Sequence, residues 1–271
     1  MQKKDNQYTV YKFIGSNIEY ALLTKNNIDY LAQFMLENGM KKLLIKSGKI
    51  GWNESYLPDL SDFSFIEELR IHWTNIKDIS GIDKCLEIQV LNIDNDDKTN
   101  IDFKIFNRLK KLVVWDRPGC ETLWELKSLE ELTVAGLKQS HLFQGVAMKS
   151  MRKLKVFKSP ISDLSQLKEA DNLYYLELDT MSNLENINWL RYLTQLKHLL
   201  INANKIVDFS VIENLINLEY CSLNSKKGEL YVSNFTNLRR LKLLNISGNE
   251  KLRLLNRELD KILGLNRFEI K

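Results

Sequence analysis

The chain has 271 residues, of which 44% are hydrophobic and 27% are charged, as is typical of a soluble globular protein with one large or two small domains. Its 39 Lys and Arg residues against 35 Asp and Glu residues give a formal net charge of +4, too small an excess for a nucleic-acid-binding arm or a polybasic membrane anchor. No stretch approaches the roughly 18 uncharged apolar residues of a membrane span.

The first 39 residues carry the pattern of an N-terminal cap. Tyr8–Ile14 and Ile18–Leu23 flank a Gly-Ser-Asn turn, which predicts a β-hairpin. Between Asn27 and Asn38, apolar residues recur at helical spacing, and Gly39 follows as a helix C-cap. We therefore expect a hairpin and a helix before the first repeat.

From Met40 onwards one apolar pattern recurs. In each copy, apolar residues occupy the first, fourth and sixth positions. The copies are Met40-Leu43-Ile45, Ile66-Leu69-Ile71, Ile88-Leu91-Ile93, Leu109-Leu112-Val114, Leu129-Leu132-Val134, Met151-Leu154-Val156, Leu173-Leu176-Leu178, Leu196-Leu199-Ile201, Leu218-Cys221-Leu223, Leu238-Leu241-Leu243 and Leu265-Phe268-Ile270. Their middle residues are 20 to 23 positions apart, except for longer first and last steps. One such unit cannot bury its apolar face alone, so neighbouring units are expected to stack into a parallel sheet.

Each predicted strand is followed by a patterned return segment. After the strand at Leu199 come Ile206, Asp208-Phe209 and Ile212, and the copies at Ile66 and Met151 repeat this order. Apolar spacing of about three suits a short 3₁₀ turn, and the Asp can accept backbone N–H bonds at its start.

These residues resemble the leucine-rich-repeat family, and in particular the short repeats of bacterial internalins and of phosphatase-regulating repeat proteins. The resemblance covers about Met40 to Ile270. It implies an α/β fold: a leucine-rich-repeat solenoid (horseshoe) with a parallel β-sheet on its concave face, short 3₁₀ or irregular convex segments, and a cap at each end. The family usually places Asn at the ninth repeat position, which only Asn204 holds here, so we expect irregular loops.

The C-terminal cap is expected to follow the repeats. Asn256–Leu263 predicts a helix closed by Gly264, and the copy at Leu265–Ile270 would be the outermost strand, its edge blunted by charged residues. The predicted domains are thus the N-terminal cap (1–39), the leucine-rich repeats (40–255) and the C-terminal helix with the last strand (256–271).

The start of the chain and its cysteines indicate the compartment. Met1–Gln7 is polar, and no apolar core of a secretory signal follows it. Cys85, Cys120 and Cys221 are odd in number and far apart, which fits neither a disulfide framework nor a zinc-ligand spacing. We therefore expect a cytoplasmic protein.

The sequence carries no pattern of an enzyme. The histidines have no metal-ligand spacing, and no phosphate-cradling loop or nucleophile elbow is present; the histidines are His72, His141 and His198. The two members of an adjacent acidic pair would point to opposite faces of a strand, so such a pair cannot act together as acid and base. These pairs are Glu67-Glu68, Asp96-Asp97 and Glu130-Glu131. Cys221 takes a core position of its repeat. We predict no catalytic residue, no metal and no cofactor.

Binding is expected on the sheet face, at the third, fifth and seventh positions of each repeat. Trp115 and Phe157 both occupy the seventh position of their repeats. The third position of three consecutive repeats is occupied by Tyr175, His198 and Tyr220. Rigid aromatic side chains on an exposed sheet favour binding. The predicted partner-binding residues are Arg70, His72, Trp115, Lys153, Lys155, Phe157, Tyr175, Glu177, Asp179, His198 and Tyr220. The same register places Leu44, Arg240, Lys242 and Leu244 outward.

The predicted function is a non-catalytic module that binds one protein partner on the concave face, as a monomer or in a 1:1 complex, with no small-molecule substrate and no membrane. A Lys-, Asn- and Ile-rich composition favours a bacterial source. An immunity protein that masks a toxin and an adaptor or regulatory subunit both fit, and the residues do not decide between them. Nucleic-acid binding through Lys153, Lys155 and Lys158 is disfavoured by the mixed charges around them. An internalin-type secreted virulence factor is disfavoured by the missing signal.

Overall fold

The computed structural model describes residues 10–95, 97–139 and 147–263. The chain divides after Leu129 into two units, here called the N-terminal unit and the C-terminal unit. Some predictions lie outside the described residues: the hairpin residues Tyr8 and Thr9, Asp96, His141, the cap Gly264, and the last strand at Leu265–Ile270.

The N-terminal unit contains the expected hairpin, helix and parallel strands. Its elements are β1 (Val10–Lys12), β2 (Glu19–Leu22), α1 (Ile28–Glu37), β3 (Lys42–Lys46), β4 (Glu68–His72), β5 (Val90–Asp94) and β6 (Lys111–Trp115). β1 pairs with β2 in antiparallel orientation, and β2 to β6 pair in sequence order as parallel strands. The hairpin therefore extends the sheet of the repeats rather than standing apart from it.

The C-terminal unit continues the same pattern. Its elements are β7 (Glu131–Ala135), α2 (Ala147–Ser150), β8 (Lys153–Ser159), β9 (Tyr175–Met181), β10 (His198–Asn202), β11 (Tyr220–Asn224), β12 (Leu243–Ser247) and α3 (Glu250–Leu263). β7 to β12 are parallel and pair in sequence order. The leucine-rich-repeat architecture predicted from the apolar triplets is confirmed.

The triplets fold this way because alternate strand residues share one face. Leu91 and Ile93 in β5, and Leu176 and Leu178 in β9, are fully buried. Each such side chain contributes about 1.5–3 kcal/mol relative to exposure. Short 3₁₀ turns return the chain, as at Ser210–Asn214, where Asp208 Oδ1 accepts the Ser210 N–H at 2.7 Å.

Polar side chains other than a ninth-position Asn join the loops of successive repeats. Asn95 Nδ2 donates to the Ile76 carbonyl at 3.0 Å, and Ser159 Oγ donates to the Leu137 carbonyl at 3.0 Å. Ser225 Oγ likewise donates to the Ile206 carbonyl at 2.7 Å. These bonds therefore tie neighbouring loops together without an Asn at the ninth repeat position.

The predicted register of the last described repeat is wrong. Cys221 pairs with Leu244, and Leu223 pairs with Ile246. The core-facing residues of β12 are therefore Leu244 and Ile246. They lie three positions after Leu241 and Leu243, the residues predicted to face the core. Arg240 and Lys242 precede β12 instead of lying on its outward face, and Leu244 is buried. Helix α3 begins at Glu250 rather than Asn256, because the Asn249 side chain accepts the Leu252 N–H and starts the helix earlier.

A buried ion pair joins the loops that follow β5 and β6. The side chains of Asp97 and Arg117 are fully buried. Arg117 Nη1 donates to both carboxylate oxygens of Asp97, at 3.0 and 3.1 Å, and Nη2 donates to the Asn95 carbonyl at 3.3 Å. The pair therefore holds these two loops of the N-terminal unit together.

All three cysteines are buried free thiols. Burial raises the pKa of Cys85 and of Cys221 to about 12, and that of Cys120 to about 11. These thiols pack as small apolar side chains, as predicted for Cys221. None of the described helices has the length and apolar character that a bilayer span requires.

Candidate functional site

The hairpin covers part of the sheet face of the N-terminal unit. Leu44 is predicted to point outward, but it is completely buried against Tyr20 and Leu22, with Tyr11 and Phe13 packed around them. The prediction of an exposed Leu44 is wrong because β2 pairs beside β3 and the hairpin side chains cover it.

The hairpin also engages the charged residues of β4. The Tyr20 hydroxyl donates to Glu68 Oε1 at 2.7 Å, and Arg70 Nε donates to the same oxygen at 2.8 Å. Burial, and then the bond to Glu68, raises the pKa of Tyr20. The Arg70 guanidinium lies 5.4 Å from the Phe13 ring centroid and 5.0 Å from that of Tyr20. Arg70, a predicted partner-binding residue, is thus largely occupied within its own unit.

Beyond the hairpin, an aspartate joins two aromatic residues of this unit. Asp94 accepts a hydrogen bond from Trp115 Nε1 at 3.1 Å and lies 3.9 Å from His72 Nδ1. Burial lowers the pKa of His72 below its ordinary value, and the nearby Asp94 opposes this shift only in part. Trp73, which the predicted residues do not include, is 78% exposed beside His72.

The C-terminal unit carries the predicted aromatic column as a stack, here called the Tyr-His-Tyr ladder: Tyr175, His198 and Tyr220. The strand register aligns the three residues directly. The ring centroids of Tyr175 and His198 are 5.4 Å apart, and those of His198 and Tyr220 are 4.5 Å apart at an interplanar angle of 10°. Burial lowers the pKa of His198. The ladder is therefore a continuous aromatic ridge on the sheet.

Acidic residues neutralise the two lysines beside the ladder. Lys155 Nζ lies 2.8 Å from Glu177 Oε2, which also accepts the Tyr175 hydroxyl at 2.9 Å. Burial alone would lower the pKa of Lys155, but Glu177 raises it overall. Lys153 Nζ lies 3.3 Å from Glu131. Two of the three lysines in the basic spot of the sequence are thus in ion pairs.

A polar groove lies next to the ladder, at the carboxyl ends of β9 to β12. We call it the acceptor groove; it has a volume of about 210 Å³ and is lined by Glu177, Asp179, Leu200, Asn202, Ser222, Asn224, Asn245 and Ser247 among others. Asn202 Nδ2 donates to Asp179 Oδ1 at 2.7 Å. The sequence prediction of binding residues includes two of the polar side chains of the groove, Glu177 and Asp179. It does not include Asn202 and Asn224. Asn245 and Ser247 were not predicted to lie on this face because the predicted register of their repeat was wrong.

The predicted binding residues therefore fall into two groups. Arg70, His72 and Trp115 belong to the N-terminal unit. The other eight lie together on β8 to β11 of the C-terminal unit, where Phe157 pairs with Asp179 across β8 and β9. Within the described part of the chain, no group of three or more His, Cys, Asp and Glu residues is placed to hold a metal ion. The C-terminal face offers hydrogen bonds, aromatic edges and a carboxylate.

Two exposed residues beside this face have left-handed backbone conformations. Lys158 has a φ of +51° and Thr180, directly after Asp179, a φ of +58°. A β-branched residue such as threonine is disfavoured there, and strain of this kind clusters at functional sites.

We expect Thr180→Gly to raise the free energy of unfolding by about 0.5–1 kcal/mol. Removing Cβ relieves about 1–2 kcal/mol of left-handed strain, which the entropy cost of glycine partly offsets. Urea unfolding followed by circular dichroism measures the change. Thr236→Gly, at a φ of −60°, is the control and should destabilise the protein. A similar loss of unfolding free energy for Thr180→Gly would show that the backbone at Thr180 is not strained.

No protein-family model matches the sequence, and no curated protein matches it. Solved structures do. An internalin, InlF, from Listeria monocytogenes is 19% identical with a TM-score of 0.52, covering 93% of this chain and 86% of that one. A leucine-rich-repeat protein of Leptospira interrogans is 13% identical with a TM-score of 0.58, covering 88% and 68%. A complex of TLR13 with ssRNA13 is 17% identical with a TM-score of 0.51, covering 78% and 37%. At these identities the likeness concerns the fold.

Proposed function

We propose that this leucine-rich-repeat protein is a non-catalytic module that binds one partner protein on the exposed sheet face of its C-terminal unit. Repeat folds of this kind generally serve protein binding through extended faces. The observation that carries the proposal is the Tyr-His-Tyr ladder beside the acceptor groove. Stacked aromatic rings next to neutralised charges and hydrogen-bonding side chains are the composition of a protein interface.

The face has the size of an interface core. Six strands give five steps of about 4.8 Å, or about 24 Å across the sheet. With strands of about 17 Å this is roughly 400 Å², half of what each partner buries in a standard complex. The partner is therefore expected to contact loops at the edge of the face as well.

The side chains of the face are held in place before any partner binds. The ladder rings stack on one another, and Lys155, Glu177 and Tyr175 fix each other. Preorganisation lowers the entropy lost on binding, which suits a tight inhibitor. We therefore favour a cytoplasmic bacterial immunity protein that masks a toxin, in a 1:1 complex, over an adaptor or regulatory subunit. The free thiols fit a reducing compartment.

Nucleic-acid binding is the weaker candidate. It would use the phosphate-attracting charge of lysines, but Lys153 and Lys155 are paired with Glu131 and Glu177. The acidic Asp179 lies on the same face.

The test is capture of the partner from cells of the source organism by the tagged full chain, washed at high salt, followed by titration of the purified partner. We expect the ladder variant Tyr175→Ala/Tyr220→Ala to bind it at least about 30-fold more weakly, because tyrosine is enriched among the few interface residues whose loss costs about 2 kcal/mol or more. Tyr192→Ala/Tyr231→Ala removes two exposed tyrosines of the same unit from its 3₁₀ return segments rather than from the sheet face, and this variant should bind normally.

The outcomes separate the candidates. Equal binding by both double variants, or recovery of nucleic acid that high salt releases, would overturn the proposal. If the partner's own activity falls when the complex forms, the chain is an inhibitor. An unchanged activity would make it an adaptor.

A further inference from the structure

We propose that the acceptor groove receives an arginine side chain of the partner protein. This inference rests on the proposed function, and it names the chemistry that the partner presents next to the ladder. The polar lining of the groove is rich in hydrogen-bond acceptors: two carboxylates, three amide carbonyls and two hydroxyls. A lining of this composition is complementary to a cation with several donors.

The charge of the groove is concentrated on one carboxylate. Glu177 is already neutralised by Lys155 and hydrogen-bonded by Tyr175. Asp179 accepts the amide of Asn202, and among the described residues no Lys, Arg or His nitrogen lies within 4.0 Å of its carboxylate. Asp179 is half-buried, so a partner that covers the groove would remove this charge from water. Such a partner must supply a positive charge there, because an unpaired buried carboxylate is costly.

The spacing of the acceptors favours arginine over lysine. Asp179, Asn202 and Asn224 occupy the same register position on three adjacent strands, about 4.8 Å apart. A guanidinium presents five donors in a rigid planar fork and can bond to acceptors on two strands at once. An ammonium has its three donors on one nitrogen.

An apolar residue in the groove suits the rest of the side chain. Leu200 lines the groove between the acceptors of β9 and β11. The methylene stem of an arginine can pack on Leu200 while its guanidinium reaches Asp179. Arginine is also enriched in the cores of protein interfaces.

Titration of the full chain with hexa-arginine, hexalysine and hexaglutamate peptides, followed by calorimetry, tests the groove directly. We expect hexa-arginine to bind more tightly than hexalysine, and Asp179→Asn to weaken hexa-arginine binding about 10- to 100-fold, the value of a hydrogen bond to a charged group. Asp171→Asn removes the same charge from an exposed turn before β9 and should change the affinity less than twofold. No binding of hexa-arginine, equal effects of the two variants, or equal binding of hexalysine would each overturn the inference.

The captured partner separates this inference from the proposed function. If Tyr175→Ala/Tyr220→Ala loses the partner while Asp179→Asn keeps its full affinity, the module stands and the arginine site is wrong. If the ladder variant keeps the partner, the proposed function fails, whatever the peptides show. Loss of the partner by both variants, with normal binding by Asp171→Asn, supports both.

Discussion

Replacement of Asp97 by Asn is expected to lower the free energy of unfolding by about 3–5 kcal/mol. The side chains of Asp97 and Arg117 are both completely buried and joined by two hydrogen bonds. Removing the negative charge leaves the guanidinium in a dry site without a counter-charge. Urea unfolding followed by circular dichroism measures the loss.

The control removes both charges together. Asp97→Leu/Arg117→Met should recover much of the stability, because apolar residues of similar volume often replace a buried ion pair at little cost. A loss below about 1 kcal/mol for Asp97→Asn would show that the pair is solvated.

The same pair gives the stability a defined pH dependence. Burial raises the pKa of the Asp97 carboxyl, but hydrogen bonds from Thr99 and Asn95, together with Arg117, lower it overall. Because the folded pKa lies below the unfolded value of about 3.9, the stabilisation is complete above that pH and is lost as the pH falls through the folded pKa. The difference between the wild type and Asp97→Asn should therefore shrink below about pH 4.

Gly248→Ala is expected to destabilise the protein by about 2–5 kcal/mol. Gly248 has a φ of +111°, and a Cβ there would lie 2.2 Å from the Ser225 carbonyl oxygen. Left-handed strain contributes about 1–2 kcal/mol and the overlap about 1–3 kcal/mol. Ser225 is tied to Ile206 and to Ser247 and has little freedom to move away. Urea unfolding measures this loss as well.

Gly39→Ala isolates the backbone contribution. Gly39 has a φ of +64°, and a Cβ there would meet nothing within 4 Å. This variant should lose only about 1 kcal/mol. Equal losses at the two glycines would contradict the close approach of Gly248 to Ser225.

The apolar triplets predicted the strands of the repeats well, because burial of alternate residues depends on local spacing. The last described repeat shows the limit of that reasoning. Leu241-Leu244-Ile246 fits the triplet as well as Leu238-Leu241-Leu243 does. Distant contacts distinguish the two: Gly248 against Ser225, and the Asn256 side chain accepting the Ile246 N–H. No local pattern contains these contacts.

The candidate site was predictable in its columns but not in its contacts. Tyr175, His198 and Tyr220 could be aligned from repeat spacing alone, and the strand register bears this out. Their stacking depends on side-chain rotamers that spacing does not determine. The burial of Leu44 could have been predicted, because an apolar residue at an outward position indicates that another segment covers it. The amides of the acceptor groove gave no signal, because Asn is also common in exposed loops.

The three buried cysteines allow the opening of each unit to be measured by thiol labelling. A thiol reacts as its thiolate, so Cys85, Cys120 and Cys221 can be alkylated only when the structure around them opens. Cys85 and Cys120 lie in the N-terminal unit and Cys221 in the C-terminal unit. Labelling rates under native conditions, read by peptide mass, therefore report the opening of the two units separately, with no introduced probe. The same measurement on the partner complex would show which unit the partner holds closed.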